Sequence, residues 1–176
     1  MSLDGFINDQ NGSVEHLYPD LEGLRHTEPL KEAIQTTGAV VMGKRAFEMG
    51  DPDEYAGNYE FQVPIFVVTG NVPFKQPLQN EKLTFNFVPD GVESAIAQAK
   101  TIARDKNVVV IGGANTAQQC LKAGLVDEIH IDIMPVLLCT GLRLFENLGV
   151  QPIELEKIAV FEGPVRTEIK FRVVKR

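Results

Sequence analysis

The sequence predicts an α/β fold with a mainly parallel central sheet and an antiparallel carboxyl-terminal hairpin. Three observations carry this reading. Short apolar runs bounded by glycine alternate along the chain with segments of helical period. One later run, residues 128–134, alternates strictly, with Ile129, Ile131 and Ile133 on one face and His130, Asp132 and Met134 on the other. The last two apolar runs flank Glu162-Gly163-Pro164, a turn signal between two strands. Strands that alternate with helices build parallel sheets, and a hairpin adds an antiparallel edge.

Each element follows from local chemistry. Thr27 is a plausible helix cap, Pro29 falls in the first turn, and Leu30, Ala33 and Ile34 recur at helical spacing, so residues 28–38 read as a helix stopped by Gly38. Residues 39–42 and 64–69 are apolar runs closed by Gly43 and by Gly70-Asn71, and both read as buried strands. Residues 84–88 alternate. Val92, Ala95, Ile96, Ala99 and Ile102 then mark a helix to about Arg104, and residues 107–111 form an apolar strand. Gly112-Gly113 leads into a helix over residues 115–122 that Gly124 ends, and strand 128–134 follows. The closing hairpin pairs residues 153–161 with 165–174, where Val165, Thr167, Ile169, Phe171 and Val173 alternate with Arg166, Glu168, Lys170 and Arg172.

Composition narrows the function. The chain of 176 residues is 44% apolar and 23% charged, and roughly 70% of the extended-chain surface is buried at this size, so a single domain over residues 1–176 is expected. Seventeen basic against 24 acidic side chains give a charge of −7, which argues against nucleic acid as a partner. No apolar run approaches the ~18 residues of a membrane span, and Asp4 and Asp9 interrupt the amino terminus where a signal peptide would be apolar, so the expectation is a cytoplasmic protein without membrane contact. Cys120 and Cys139 form no Cys-x-x-Cys pair, and His16, His26 and His130 lack metal-helix spacing, so neither a redox centre nor a metal is expected. Residues 46–62 hold Glu48, Asp51, Asp53, Glu54 and Glu60 without one base, as a solvated loop or a lid beside a site.

Two glycine patterns compete for a phosphate. Residues 38–44 fit the opening of a P-loop, but the intervening residues are an apolar strand, and Arg45 stands where a magnesium-binding hydroxyl is needed. That match is a decoy. Residues 108–116 run from a buried strand through Gly112 and Gly113 into a helix, the setting in which backbone approach and the helix amino terminus favour a diphosphate. A tight turn alone would also use both glycines. His130 and Asp132 share a strand face and read as solvated or partner-facing rather than as an acid/base pair.

Ser2-Leu3-Asp4-Gly5-Phe6-Ile7, the segment from Val40 through Gly43-Lys44-Arg45 to Glu48, Val110 through Gly112-Gly113 to Asn115, and Asp127-Glu128-Ile129-His130-Ile131 follow one another in order. Together with Leu144-Phe145 they resemble the successive motifs of the dihydrofolate-reductase-like superfamily, and most closely stand-alone proteins similar to the reductase domain of the bifunctional riboflavin-pathway deaminase-reductase. The resemblance implies a three-layer dihydrofolate-reductase-like domain. It also implies NADPH across the carboxyl edge of the sheet, with Gly43, Lys44 and Arg45 at the adenosine, Thr69 and Gly70 beside them, and Gly112, Gly113, Ala114, Asn115 and Thr116 at the diphosphate. Asp4 would lie near the nicotinamide, to orient substrate or relay a proton, unless it only makes an Asx turn before Gly5. The Gly112–Gly113 peptide is expected cis, at a cost of ~3 kcal/mol. The activity implied is hydride transfer to a C=N or C=O bond of a small heterocycle, pteridine- or pyrimidine-like. The alternatives are a nucleotide-binding module without turnover, or an assembly protein.

Three departures qualify the likeness. Relatives carry a central strand before Ser-Leu-Asp-Gly, whereas this chain opens at Met1, so a gap in the sheet, or its filling by another segment or subunit, is expected. Cys139 and Thr140 replace glycines that precede Gly141. No acidic residue in the first helix aligns securely with the one that supports pterin protonation, and the deaminase domain is missing. Relatives pair as homodimers through the hairpin region, which sets the same expectation here. Lys44 and Arg45 are the adjacent bases placed to meet a 2′-phosphate, or else a helix-start pair with Glu48.

Overall fold

The computed structural model describes residues 1–175. The chain folds as two compact units: residues 24–119, and residues 1–23 together with the part from Cys120 onward. Their strands form two sheets, one of four parallel strands and one of three antiparallel strands.

In the first unit, helix α1 (Glu28–Thr36) starts as read: the Thr27 hydroxyl accepts from Leu30 N–H at 3.4 Å, and Pro29 occupies the first turn. Strand β1 (Thr37–Gly43) begins earlier than expected, so Gly38 is a strand residue and not a helix stop. The reason is contact. A Cβ on Gly38 would lie 2.8 Å from Ala103 Cα and 2.8 Å from Lys106 Cβ, so only glycine lets β1 run under the end of the helix that ends at Ala103.

Helix α2 (Lys44–Phe47) follows, then β2 (Ile65–Val68), β3 (Phe85–Val88), α3 (Gly91–Ala103), β4 (Asn107–Val110) and α4 (Ala114–Lys122). The parallel order is β3-β2-β1-β4. Val40, Met42, Ile65 and Val67 turn to one face and pack with Phe47, Phe61, Leu83 and Phe85, against which Leu30, Ala33 and Ile34 of α1 rest. The alternate residues Ala39, Val41 and Phe66 are also buried, as are Val92, Ala95, Ile96 and Ala99 of α3. Helix, sheet and helix are the three layers.

The acidic segment is more ordered than a solvated loop. Asp53 accepts from Lys75 Nζ at 2.6 Å and from Leu78 N–H at 2.9 Å, and Gln62 donates to the Tyr55 and Tyr59 carbonyls. Phe47 and Phe61 within it are buried, and Phe47 meets Phe85 edge-on at 5.4 Å. Glu48, Asp51 and Glu54 are exposed, while Asp53 and Glu60 are half-buried and paired with Lys75 and Arg25.

In the second unit, β5 (Glu128–Ile133), β6 (Leu155–Glu162) and β7 (Thr167–Val173) lie in the order β5-β7-β6, and the last two form the expected hairpin. The charged face of β7 is drawn inward by ion pairing. Arg166, just before β7, is 8% exposed; it donates to both Asp20 oxygens, to Asp132 at 3.0 Å and to the Leu17 carbonyl at 3.3 Å. Its guanidinium also lies 5.5 Å from the Tyr18 ring, which fastens residues 17–20 to the sheet. Asp132 is therefore bonded to Arg166, while His130 pairs with Glu128 at 3.2 Å. Cys120 is buried, Cys139 is exposed, and neither forms a disulfide.

The two glycines of β1 and its flank give a contrast to measure. Gly38→Ala forces a backbone contact and should lower unfolding free energy by about 1–3 kcal/mol in urea titration. Gly50→Ala meets nothing within 4 Å and should be neutral or slightly stabilising. Equal stability of the two variants would remove this explanation of Gly38.

Candidate functional site

A parallel sheet binds ligands outside the carboxyl ends of its strands, where the strand order reverses. The chain moves from β1 to β2 to β3 in one direction and then places β4 on the other side of β1, so the reversal falls between β1 and β4. Pairing of Gly43 with Val68 and of Val41 with Val110 fixes which residues meet there. Gly43-Lys44-Arg45, Thr69-Gly70 and Gly112 to Thr116 all leave the same sheet edge. Every cofactor-binding residue expected from the sequence in this unit is gathered on that edge.

The close packing of this edge depends on absent side chains. A Cβ on Gly43 would lie 2.5 Å from Thr116 Oγ1, and one on Gly112 would lie 2.9 Å from Ala46 Cβ. The first turn of α4 therefore comes against the end of β1, and α2 against the end of β4. Gly112 and Gly113 have φ of 69° and 72°, a left-handed pair that side chains disfavour. This corrects the expected cis linkage: no described peptide bond is cis, and the chain reverses through two left-handed glycines instead.

The Gly113 carbonyl accepts from Ala117 N–H at 3.2 Å, which opens the hydrogen bonding of α4. The N–H groups of Ala114, Asn115 and Thr116 precede any intrahelical acceptor, so the positive end of the helix faces outward from the sheet edge. Thr69 is buried; its hydroxyl accepts from Asn71 N–H at 3.1 Å and closes the turn after β2. Lys44 and Arg45 are exposed at the start of α2, and Lys44 Nζ lies 3.6 Å from Glu48. The pair with Glu48 is thus present, with 44% and 53% of the two side chains exposed, and an exposed pair of this kind is worth under ~1 kcal/mol.

Asp4 belongs to the second unit and has defined partners of its own. Its carboxylate accepts from Leu138 N–H at 3.1 Å and from Cys139 N–H at 2.8 Å, and its carbonyl accepts from Arg143 at 3.2 Å. Arg143 in turn lies over the Phe6 ring at 4.5 Å. Gly141 is required beside it: with φ of 138°, a Cβ would fall 2.0 Å from the Asn8 carbonyl oxygen. Cys139 adopts φ of 64°. Asp4 is therefore no isolated Asx turn but a tie between the first loop and residues 138–143. Sequence reasoning missed these partners because they lie more than a hundred residues away from Asp4.

The Ser2 hydroxyl chiefly, and then the Cys139 and Leu138 N–H groups, hold the Asp4 carboxyl below its ordinary 3.8. A depressed carboxyl keeps its contacts above that value and loses them only as pH falls through the lower folded one. The Leu138 and Cys139 amide signals should therefore titrate together in NMR with a midpoint below 3.8, and Asp4→Ala should abolish that titration. A midpoint at or above 3.8 would show that the tie is not formed.

Comparison with known proteins agrees with this geometry. An uncharacterized protein of Bacillus subtilis (strain 168), YwjB, is 28% identical over 148 residues, covering 84% of this chain and 80% of its own length. A putative riboflavin biosynthesis protein from Shewanella sp. PV-4 superposes with a TM-score of 0.77 at 22% identity, covering 99% of this chain and 96% of that one. Dihydrofolate reductase from Enterococcus faecalis, complexed with NADP(H), superposes with a TM-score of 0.63 at 20% identity over 99% of this chain and 93% of that one. The fold is dihydrofolate-reductase-like. The RibD C-terminal domain family matches residues 1–165, and with the order of motifs and the glycine-lined sheet edge in place, this chain belongs to that family.

Proposed function

We propose that the chain is an NADPH-dependent reductase that passes hydride to a C=N or C=O bond of a small pteridine- or pyrimidine-like heterocycle. One observation carries the reading: Gly43, Lys44, Arg45, Thr69, Gly70 and residues 112–116 share one carboxyl edge of a parallel sheet, with Gly43 to Arg45 and 112–116 leaving the two strands that flank its switch point. Support comes also from neighbours whose names are those of a pyrimidine reductase-like protein and of dihydrofolate reductase with NADP(H).

NADPH supplies the hydride, and the protein supplies binding and orientation. The left-handed Gly112-Gly113 pair and the amino end of α4 fit a diphosphate, because no Cβ stands between ligand and backbone. Thr69 and Gly70 border the same edge, and Gly70 offers open space. Lys44 and Arg45 take the 2′-phosphate. That contact is charge-assisted and worth about 1.5–3 kcal/mol, which outweighs the Lys44–Glu48 pair.

Asp4 enters as an ionised carboxylate that orients substrate, since its partners stabilise the charged form. The same observation favours a second reading, a nucleotide-binding module without turnover, because a carboxyl held ionised stores no proton. Fluorescence titration with NADPH and then its oxidation across a panel of pteridine- and pyrimidine-like acceptors that carry a reducible C=N or C=O bond separate the two: consumption of NADPH supports the reductase, and binding without consumption supports the module.

Cofactor choice is the sharper test. Lys44→Ala with Arg45→Ala should weaken NADPH binding roughly ten- to a hundredfold and leave NADH nearly unchanged. Equal loss for both cofactors would sink the assignment of these two residues.

The homodimer is read onto the hairpin, where Leu155, Ile158, Val160 and Phe161 of β6 are each more than 40% exposed. Light scattering at micromolar concentration should give twice the chain mass of 19.4 kDa, and charged substitutions at Val160 and Phe161 should return the monomer. A wild-type monomer would end this part of the reading.

A further inference from the structure

On the antiparallel sheet of the second unit, one face carries a column of ionisable side chains. Register sets them in three rungs across β5, β7 and β6: Asp132, Glu168 and Phe161; His130, Lys170 and Ala159; Glu128, Arg172 and Glu156. The third rung is solvated, since Arg172 meets Glu156 at 3.1 Å with both side chains exposed, and such a pair is worth under ~1 kcal/mol. The other two rungs differ. Only 15% of the Glu168 side chain and 13% of the Lys170 side chain are exposed, and their charges face each other at 3.6 Å, longer than a hydrogen bond.

Lys170 reaches its partner by leaving its own rung. Its ammonium lies 5.1 Å from the centre of the Phe161 ring, so a cation–π contact and the ion pair both draw it toward the first rung. Ala159 beside it has the smallest side chain of the face, and the second rung is therefore low over Ala159, next to the two charged groups. Burial pushes the Glu168 carboxyl above its ordinary 4.5, against the pull of Lys170. The neighbouring charges across the strands are engaged elsewhere: Asp132 is bonded to Arg166, and His130 to Glu128. A half-buried carboxylate thus stands beside an ammonium at the border of a shallow depression.

We infer that Glu168 and Lys170 together form a recognition site for a cyclic amide, the N–H and C=O edge of an oxo-pyrimidine or oxo-pteridine ring. A lactam presents a donor and an acceptor next to each other, and the ion pair presents the complement. The Glu168 carboxylate accepts from the ring N–H, and the Lys170 ammonium, with its three N–H donors, donates to the ring C=O. The ring lies over Ala159, where the face is low. Both contacts favour the charged forms that burial disfavours, so the ligand supplies what the protein withholds. A site built on such an edge rejects an analogue without the N–H, because a half-buried charge is then left without its donor. The inference deepens the proposed reductase and rests on that reading for the ring's role as substrate: it narrows the heterocycle to one with an unsubstituted lactam edge.

The test adds uracil, which carries the lactam edge, or its N,N′-dimethyl derivative, which has the same ring without N–H, to the isotope-labelled chain in NMR. Uracil should shift the amide signals of Glu168, Lys170 and Ala159 saturably, and the dimethyl ring should bind at least about tenfold more weakly. Glu168→Gln with Lys170→Met removes both charges at matched length, so that neither is left buried alone, and should weaken uracil by about the same factor while NADPH affinity stays unchanged. Should that variant not fold, the comparison of the two rings on the native chain decides by itself. Equal shifts from both rings, or none at Glu168 and Lys170 from either, would overturn the proposal. Failure of the reductase reading has a different signature. NADPH left unconsumed while the uracil shifts persist would strike the reductase and keep this site, whereas NADPH consumption with a lactam acceptor at a KM unchanged by the double variant would overturn this site alone.

Discussion

The first unit depends on how closely other backbone can approach β1. This strand lies between β2 and β4, its residues Ala39 to Met42 are almost wholly buried, and it has a glycine near each end. At Gly38 the missing Cβ admits the carboxyl end of α3, and at Gly43 it admits Thr116 from the first turn of α4. Both approaches would be closed by a single methyl group. Interiors pack at crystal-like density, so displacing either helix would leave voids that cost more than the glycines do in chain entropy. The same close approach brings the strand end, the left-handed Gly112-Gly113 turn and the helix amino terminus to one edge. The scaffold and the candidate site thus rest on one packing constraint.

Much of this first unit was legible in the sequence, for reasons that are local. Thr27, Pro29 and the Leu30–Ala33–Ile34 spacing act within one or two turns, and the helix they announce is present. The apolar runs 39–42, 64–69 and 107–111 read as strands and contain them, the first almost wholly buried and the last half-buried, and Gly124 ended its helix with φ of 66° as a left-handed glycine should. What failed was the role of Gly38, which looks identical as a helix stop and as a point of contact until its neighbour across the sheet is known. The geometry of Gly112-Gly113 failed similarly: two glycines reverse a chain equally well through left-handed φ values as through a cis bond, and sequence does not distinguish them.

The second unit was less legible because its chemistry is long-range. Arg166 reads in sequence as one of several charges on the polar face of a strand, yet it is the buried member of a cluster formed with Asp20, Asp132 and the Leu17 carbonyl. A buried guanidinium keeps its charge only with such partners, and removing one would strand the others. Asp4 is similar. Its neighbours in sequence, Ser2 and Gly5, explain the turn around it, and Ser2 does most to hold its carboxyl low, but the N–H groups that tie it down come from residues 138 and 139. An acidic residue in a short motif therefore showed its turn and not its distant partners.

The decoy P-loop shows how the same spacing arises from different physics. In a phosphate cradle, two glycines separated by four residues free the backbone of a loop to wrap an anion, and the lysine that follows reaches the phosphate. Here the interval between Gly38 and Gly43 equals most of the length of β1, and each glycine answers to a different helix, α3 at one end and α4 at the other. The intervening Ala39-Val40-Val41-Met42 cannot wrap anything, since its N–H and C=O groups belong to the ladders with β2 and β4. Lys44 follows only because β1 gives way to a helix whose exposed start suits a base paired with Glu48. The spacing is thus set by strand length. In the proposed function, the second glycine serves ligand binding through its position at the sheet edge rather than its distance from the first.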